Sequence, residues 1–167
     1  ILTMARPSTG EALRAGSDAA HGIVAVRIGS QEFALDIMAV REIRGWTPPT
    51  PLPWAPAYVQ GMTDLRGVII PIVDLAARLG LPTAAPTALS VVVVVQLGDR
   101  LAGLLVDGVS DLMTLEAGRM QATPATGGGG PEEILQGIFE VDGRILAVID
   151  LQAVIPAELA ELTAAAA

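Results

Sequence analysis

The chain contains no cysteine, so disulfides, thiol nucleophiles and cysteine-zinc sites are excluded, and the redox compartment is not encoded. It contains no lysine either: all ten basic residues are arginine. That removes Schiff-base chemistry and the cation of a phosphate-binding loop. Its one histidine, His21, cannot make a histidine metal cluster or a histidine dyad. Most enzyme mechanisms thus lack an essential part, and no metal or cofactor is expected. Aromatics are scarce at 3%, and 18 acidic residues outweigh the arginines to give a net charge of −8. Nucleic acid is therefore an unsuitable partner, because phosphate contacts need clustered cationic surface. Long apolar runs are absent too. The longest pure one, Val91 to Val95, suits a buried strand and falls far short of the roughly 18 residues that cross a bilayer. The expectation is a soluble, cytoplasmic protein without direct membrane insertion, since residues 1 to 22 hold no continuous apolar stretch that could act as a secretory signal.

What is present is apolar material: 51% of 167 residues, ample for a core and contrary to disorder. Short apolar runs of four to eight residues alternate with Gly, Pro and Asp, the spacing of an all-β barrel or sandwich. Ile23 to Ile28, a turn at Gly29-Ser30-Gln31, and the alternating Phe33, Leu35 and Ile37 read as a hairpin. Trp46 to Tyr58 holds five prolines and must be a loop, with Pro56 opening a very short helix that stops at Gly61. A second hairpin has arms Met62 to Leu65 and Val68 to Val73, followed by a helical turn over Leu75 to Leu79. Pro71 lacks an amide donor, which predicts an edge or outward-facing position.

The most informative feature is an internal repeat. A shift of 76 lays Val59–Leu75 on Leu135–Leu151 and matches Gln60 with Gln136, Gly61 with Gly137, Gly67 with Gly143, Ile69 with Ile145, Asp74 with Asp150 and Leu75 with Leu151. Earlier in each half a shift of 69 pairs Ile28-Gly29 with Leu97-Gly98, Leu35 with Leu104, Val40 with Val109 and Glu42 with Asp111. The seven-residue difference falls where the second half carries Ala122 to Pro131 with four consecutive glycines, a surface loop rather than a phosphate cradle. Two similar five-stranded units follow, about 22–82 and 88–156. Each is too poor in apolar positions to stand comfortably alone, and so they share a core. Flexible tails are expected at 1–20 and 163–167.

The copies disagree at one turn. Asp142-Gly143 is the pair that primed turns favour, whereas the first copy has Arg66-Gly67. Arginine is a poor turn former, so either Arg66 is a solvated hairpin tip or it is held there to present its planar donor fork to a carboxylate. Asp64, two residues away, is a candidate intramolecular partner.

These residues are familiar as a set. Ile28-Gly29, Phe33 to Ile37, Val40 to Ile43, Tyr58 to Gly61, Leu65 to Leu75 and Gly103 to Val109 resemble the CheW family, in order over about Ile23 to Ile155. The resemblance implies an all-β CheW-like domain over 21–162, built of two SH3-like five-stranded β-barrels on a common core with a few short helices. It implies a stand-alone, non-catalytic adaptor that couples the cytoplasmic tip of methyl-accepting chemoreceptors to the regulatory domain of the histidine kinase CheA at membrane-associated arrays. Carried over residue by residue, the receptor-facing groove would comprise Val40, Glu42, Gly61, Arg66, Gly103 and Leu112. The kinase-contact residues cannot be assigned this way. A loop tryptophan pair, Trp46 and Trp54, is unusual for the family and is expected to fold back over the core. Two rival readings remain: the same fold as a regulatory module or adaptor in a non-motility pathway, and an enzyme pairing Asp74 with Asp150, for which helix N-capping is the simpler account.

Overall fold

The computed structural model describes residues 20–83, 85–116, 121 and 134–155. The tetraglycine loop and the tails expected at 1–20 and 163–167 lie outside the described residues, except that Ala20 opens the first strand. Among the described residues ten strands follow in order: β1 (Ala20–Ile28), β2 (Gln31–Asp36), β3 (Val40–Gly45), β4 (Val59–Leu65), β5 (Val68–Asp74), β6 (Val91–Leu97), β7 (Arg100–Val106), β8 (Gly108–Glu116), β9 (Leu135–Val141) and β10 (Arg144–Ile149). Among the described residues, a 3-10 turn, Ile37–Ala39, precedes β3, and the four-residue helices α1 (Leu75–Arg78) and α2 (Leu151–Val154) follow β5 and β10. The fold is all-β as expected, in two five-stranded SH3-like units.

The strands are ordered β8-β1-β2-β10-β9 in sheet one and β3-β6-β7-β5-β4 in sheet two. Advancing every strand of sheet one to its repeat counterpart reproduces sheet two, so the two halves of the chain are related by a pseudo-two-fold. The contiguous units 22–82 and 88–156 are therefore not separate sheets. Each half gives its first two strands to one sheet and its last three to the other. The seams of this exchange are parallel: Ala147 lies opposite Phe33, and Val73 opposite Leu104.

The exchange explains the near-continuous apolar runs. In β1, Val24, Val26 and Ile28 enter a core shared by both sheets, whereas Ile23 and Ala25 enter a second cluster belonging to sheet one with Leu115, Phe139 and Leu146. In β6, Val93 and Val95 join the shared core, and Val92 and Val94 join sheet two's own cluster with Leu65, Ile70 and Leu105. A strand buried on both faces needs apolar residues at successive positions. The shared core also holds Leu35 and Leu104, the helix residues Leu75 and Leu151, and Val154, so neither half can bury its surface without the other.

Asp74 and Asp150 cap α1 and α2. Asp74 accepts from the amides of Ala76 (3.1 Å) and Ala77 (3.5 Å), and Asp150 accepts from Gln152 (3.1 Å). Burial raises the carboxyl pKa of Asp74, against the pull of those amides and of Gln60. Its backbone N–H is bonded to the Tyr58 carbonyl at 2.7 Å, as that of Asp150 is to Ile134 at 2.6 Å.

Three local expectations need correction. No helix begins at Pro56: the Val59 amide closes a single turn on the Pro56 carbonyl (2.9 Å), and the Tyr58 carbonyl is already taken by Asp74. Pro71 is neither at an edge nor outward. It is buried in β5, between β7 and β4. Its partner across the ladder, Met62, gives both backbone groups to Thr50 on its other side (2.8 Å each), so this pair asks no amide of residue 71. Finally, Trp46 packs on sheet two's core as expected, but Trp54 does not fold back: it is 63% exposed.

Candidate surface at the rim of sheet two

Strands β3 and β4 are the two edges of sheet two, and charged side chains join β3 to the tip that follows β4. Glu42 stands on β3 opposite Val94, on the face of sheet two's own cluster. Arg66 occupies the tip between β4 and β5. Arg66 Nη1 lies 2.8 Å from Glu42 Oε2, and Arg44 Nε lies 3.7 Å from Glu42 Oε1. The Glu42 side chain is largely covered, but that of Arg66 is 76% exposed, with most of its donor fork facing solvent. Val68, just past the tip, is also exposed. The carboxylate that engages Arg66 is thus Glu42. Asp64 accepts instead from the Gly67 amide at 2.7 Å.

The other residues of the expected groove play different parts. Gly61 is buried with φ 152, and a Cβ there would fall 2.4 Å from the Thr50 carbonyl oxygen. It makes room for the proline-rich loop to pair with the free edge of β4. Gly103 sits inside sheet two, where a Cβ would meet Ile72 Cδ1 and Val92 Cγ1 at 2.7 Å each. Both glycines therefore shape the rim from beneath and do not themselves line a surface. Val40 is half-buried opposite Val95 and packs on the shared core. Leu112 is 61% exposed on β8 of sheet one, opposite the shared-core residue Val24. Cross-strand partners share a face, so Val40 and Leu112 both border the seam between the sheets.

Sequence reasoning missed Ile43. It is exposed on β3 opposite Val93, on the seam side. The repeat carried the signal, because a shift of 69 maps Ile43 onto Leu112. Ile37 and Met38 are exposed as well: the period-two alternation ends with β2 at Asp36, and both residues belong to the 3-10 turn.

Sheet one has the matching acid, Asp111, but its arginine is placed differently. Arg144, at the position matching Val68, donates from Nε to Glu32 Oε1 (2.9 Å), from Nη2 to Glu32 Oε2 (2.5 Å) and from Nη1 to Asp111 (3.2 Å). Ser110 adds a hydroxyl bond to Glu32 at 2.7 Å. These bonds, Arg144's first, hold the Glu32 carboxyl down to about 2, and Glu32 in turn raises the pKa of Arg144. All three arms of this guanidinium are engaged inside the molecule.

A comparison with known proteins places this architecture. Residues 22–159 match the CheW-like domain. The chain is 47% identical over 136 residues to the chemotaxis protein CheW of Rhizobium meliloti (strain 1021), covering 81% of this chain and 88% of that protein. It is 32% identical over 144 residues to the chemotaxis protein CheW of Klebsiella aerogenes, covering 86% and 87%. Among solved structures, the scaffolding protein TtCheW from Thermoanaerobacter tengcongensis superposes with a TM-score of 0.75 at 25% identity, over 83% of this chain and 89% of that one. A two-sheet chain with this repeat, matched along most of its length by these relatives, belongs to the CheW family.

Proposed function

We propose that this protein is a chemotaxis adaptor that links methyl-accepting chemoreceptors to the histidine kinase CheA by binding alone, in the cytoplasm at membrane-associated receptor arrays. The observation that carries the reading is the state of Arg66: a guanidinium held at a turn tip that suits it poorly, with one bond to Glu42 and most of its surface in water. A structural arginine resembles Arg144; an arginine kept for a partner resembles Arg66. Glu42 fixes its direction, exposed Val68 lies beside it, and Val40 and Leu112 border the seam with apolar contact for a receptor helix. Gly61 and Gly103 support that rim by close packing. Family membership supports the choice of partners.

Calorimetric titration tests the reading. The purified protein should bind the regulatory domain of its host's CheA saturably at one to one, and a soluble fragment of the host chemoreceptor's signalling tip separately. Arg66→Glu should abolish the second interaction with an unchanged circular dichroism spectrum. An unfolded variant, or one that binds the receptor fragment normally, would refute the assignment of Arg66. Failure to bind either partner would refute the adaptor reading.

A further inference from the structure

The turn that carries Arg66 has a brace that its twin lacks. Arg66 has φ 53 and Asp142 has φ 51, so both tips enter the left-handed region. Aspartate is among the few side chains that tolerate it, whereas arginine has no such local compensation. Across the Arg66 tip, Asp64 Oδ1 accepts the Gly67 amide at 2.7 Å and ties the arriving strand to the departing one. Glu140 occupies the matching place before the second tip, and no such bond joins it to Gly143 among the described residues. The brace is present only where the tip residue is strained. Nor does Asp64 neutralise Arg66, because the guanidinium is turned to Glu42. One carboxylate fixes the backbone beneath the arginine and another fixes the direction of its side chain.

We infer that Asp64 is a positioning residue for Arg66: its bond to the Gly67 amide locks the tip so that the guanidinium stands against Glu42 and faces the partner already oriented. The inference rests on the reading of this rim as the receptor-facing surface. Pre-orienting a side chain removes an ordering cost that binding would otherwise bear, and the bond is made by an acceptor oxygen, so the amide of asparagine can replace the carboxylate.

The test titrates the full chain with the soluble receptor-tip fragment and, in parallel, follows hydrogen exchange of the Gly67 amide by NMR. Asp64→Ala should weaken the fragment about tenfold and Asp64→Asn by no more than about twofold. In an Arg66→Gly background, Asp64→Ala should change nothing further. Gly67 exchange should quicken in Asp64→Ala and stay slow in Asp64→Asn. Unchanged affinity in Asp64→Ala would overturn the inference, as would an asparagine variant as weak as the alanine one, which would show that charge and not the bond matters. If the unaltered protein ignores the fragment, the receptor reading fails by itself. Gly67 exchange then decides the positioning role, and no difference between the variants would overturn it.

Discussion

The hairpins β4–β5 and β9–β10 turn through the same left-handed first residue, yet they use their arginines in opposite ways. In sheet one the arginine sits on the strand, at Arg144, and closes the rim by bonding Glu32 and Asp111. In sheet two that strand position is the exposed Val68, and the arginine has moved two residues back to the tip, where it makes one ion pair and faces water. The two matched halves thus carry one rim closed by its own ion pairs and one whose arginine faces solvent. The difference teaches that an arginine's place relative to a turn can separate one whose nitrogens are all bonded inside the molecule from one that faces water, even when its acidic partner is at the matching position in both copies.

That comparison can be broken or sharpened by substitution. The largest effect belongs to what the halves share. Leu35 and Leu104 are matched and fully buried in the common core, so Leu35→Ala and Leu104→Ala should each cost about 2–5 kcal/mol. Urea denaturation should show one transition in both variants, because each sheet contains strands from both halves; two separated steps would contradict the exchange. Next comes the inner face of the sheets, where Gly103 matches Ala34. Gly103→Ala places a methyl 2.7 Å from Ile72 and Val92 and should cost roughly 1–3 kcal/mol by the same measurement.

The rims themselves should respond unequally. Arg144→Gln should lower the urea midpoint more than Arg66→Gln, since it strands Glu32 and Asp111 together. Glu32 adds a pH signature: its folded pKa of about 2 lies below the ordinary 4.5, so its stabilisation is complete above about pH 4.5 and disappears as pH falls through 2. Arg144→Gln should remove that acid-side loss, read as thermal midpoints between pH 5 and 2. The smallest effect is expected at the open tip. Arg66→Gly exchanges a strained residue for one at ease with positive φ, and should stabilise the fold by about 0.5–1 kcal/mol, less the small worth of an exposed ion pair.

Much of this was legible from sequence. The repeat disclosed two five-stranded units, the hairpins on either side of Gly29 and Gly67, and the helix turns capped by Asp74 and Asp150, because turn residues and caps act locally. The reciprocal exchange of strands was hidden: valine-rich strands such as Val91 to Val95 are buried on both faces and carry no period that says which half they join. Pro71 was misplaced since its tolerance depends on Thr50, a partner from a loop without strand pattern. At the rim, the Arg66–Asp142 mismatch points to the tip, but the choice of Glu42 over Asp64 depends on where the fold brings β3, which local spacing does not encode. Ile43 is marked only through the repeat, which maps it onto Leu112.

The most direct measurement sets the two tips side by side. Arg66→Glu and Asp142→Lys reverse charge at matching turns, and each variant would be titrated with the receptor-tip fragment after its fold is checked by circular dichroism. The account predicts that Arg66→Glu abolishes binding and Asp142→Lys leaves it within about twofold of the unaltered protein. Equal losses at both tips, or none at either, would contradict the claim that only the rim of sheet two is held open for a partner.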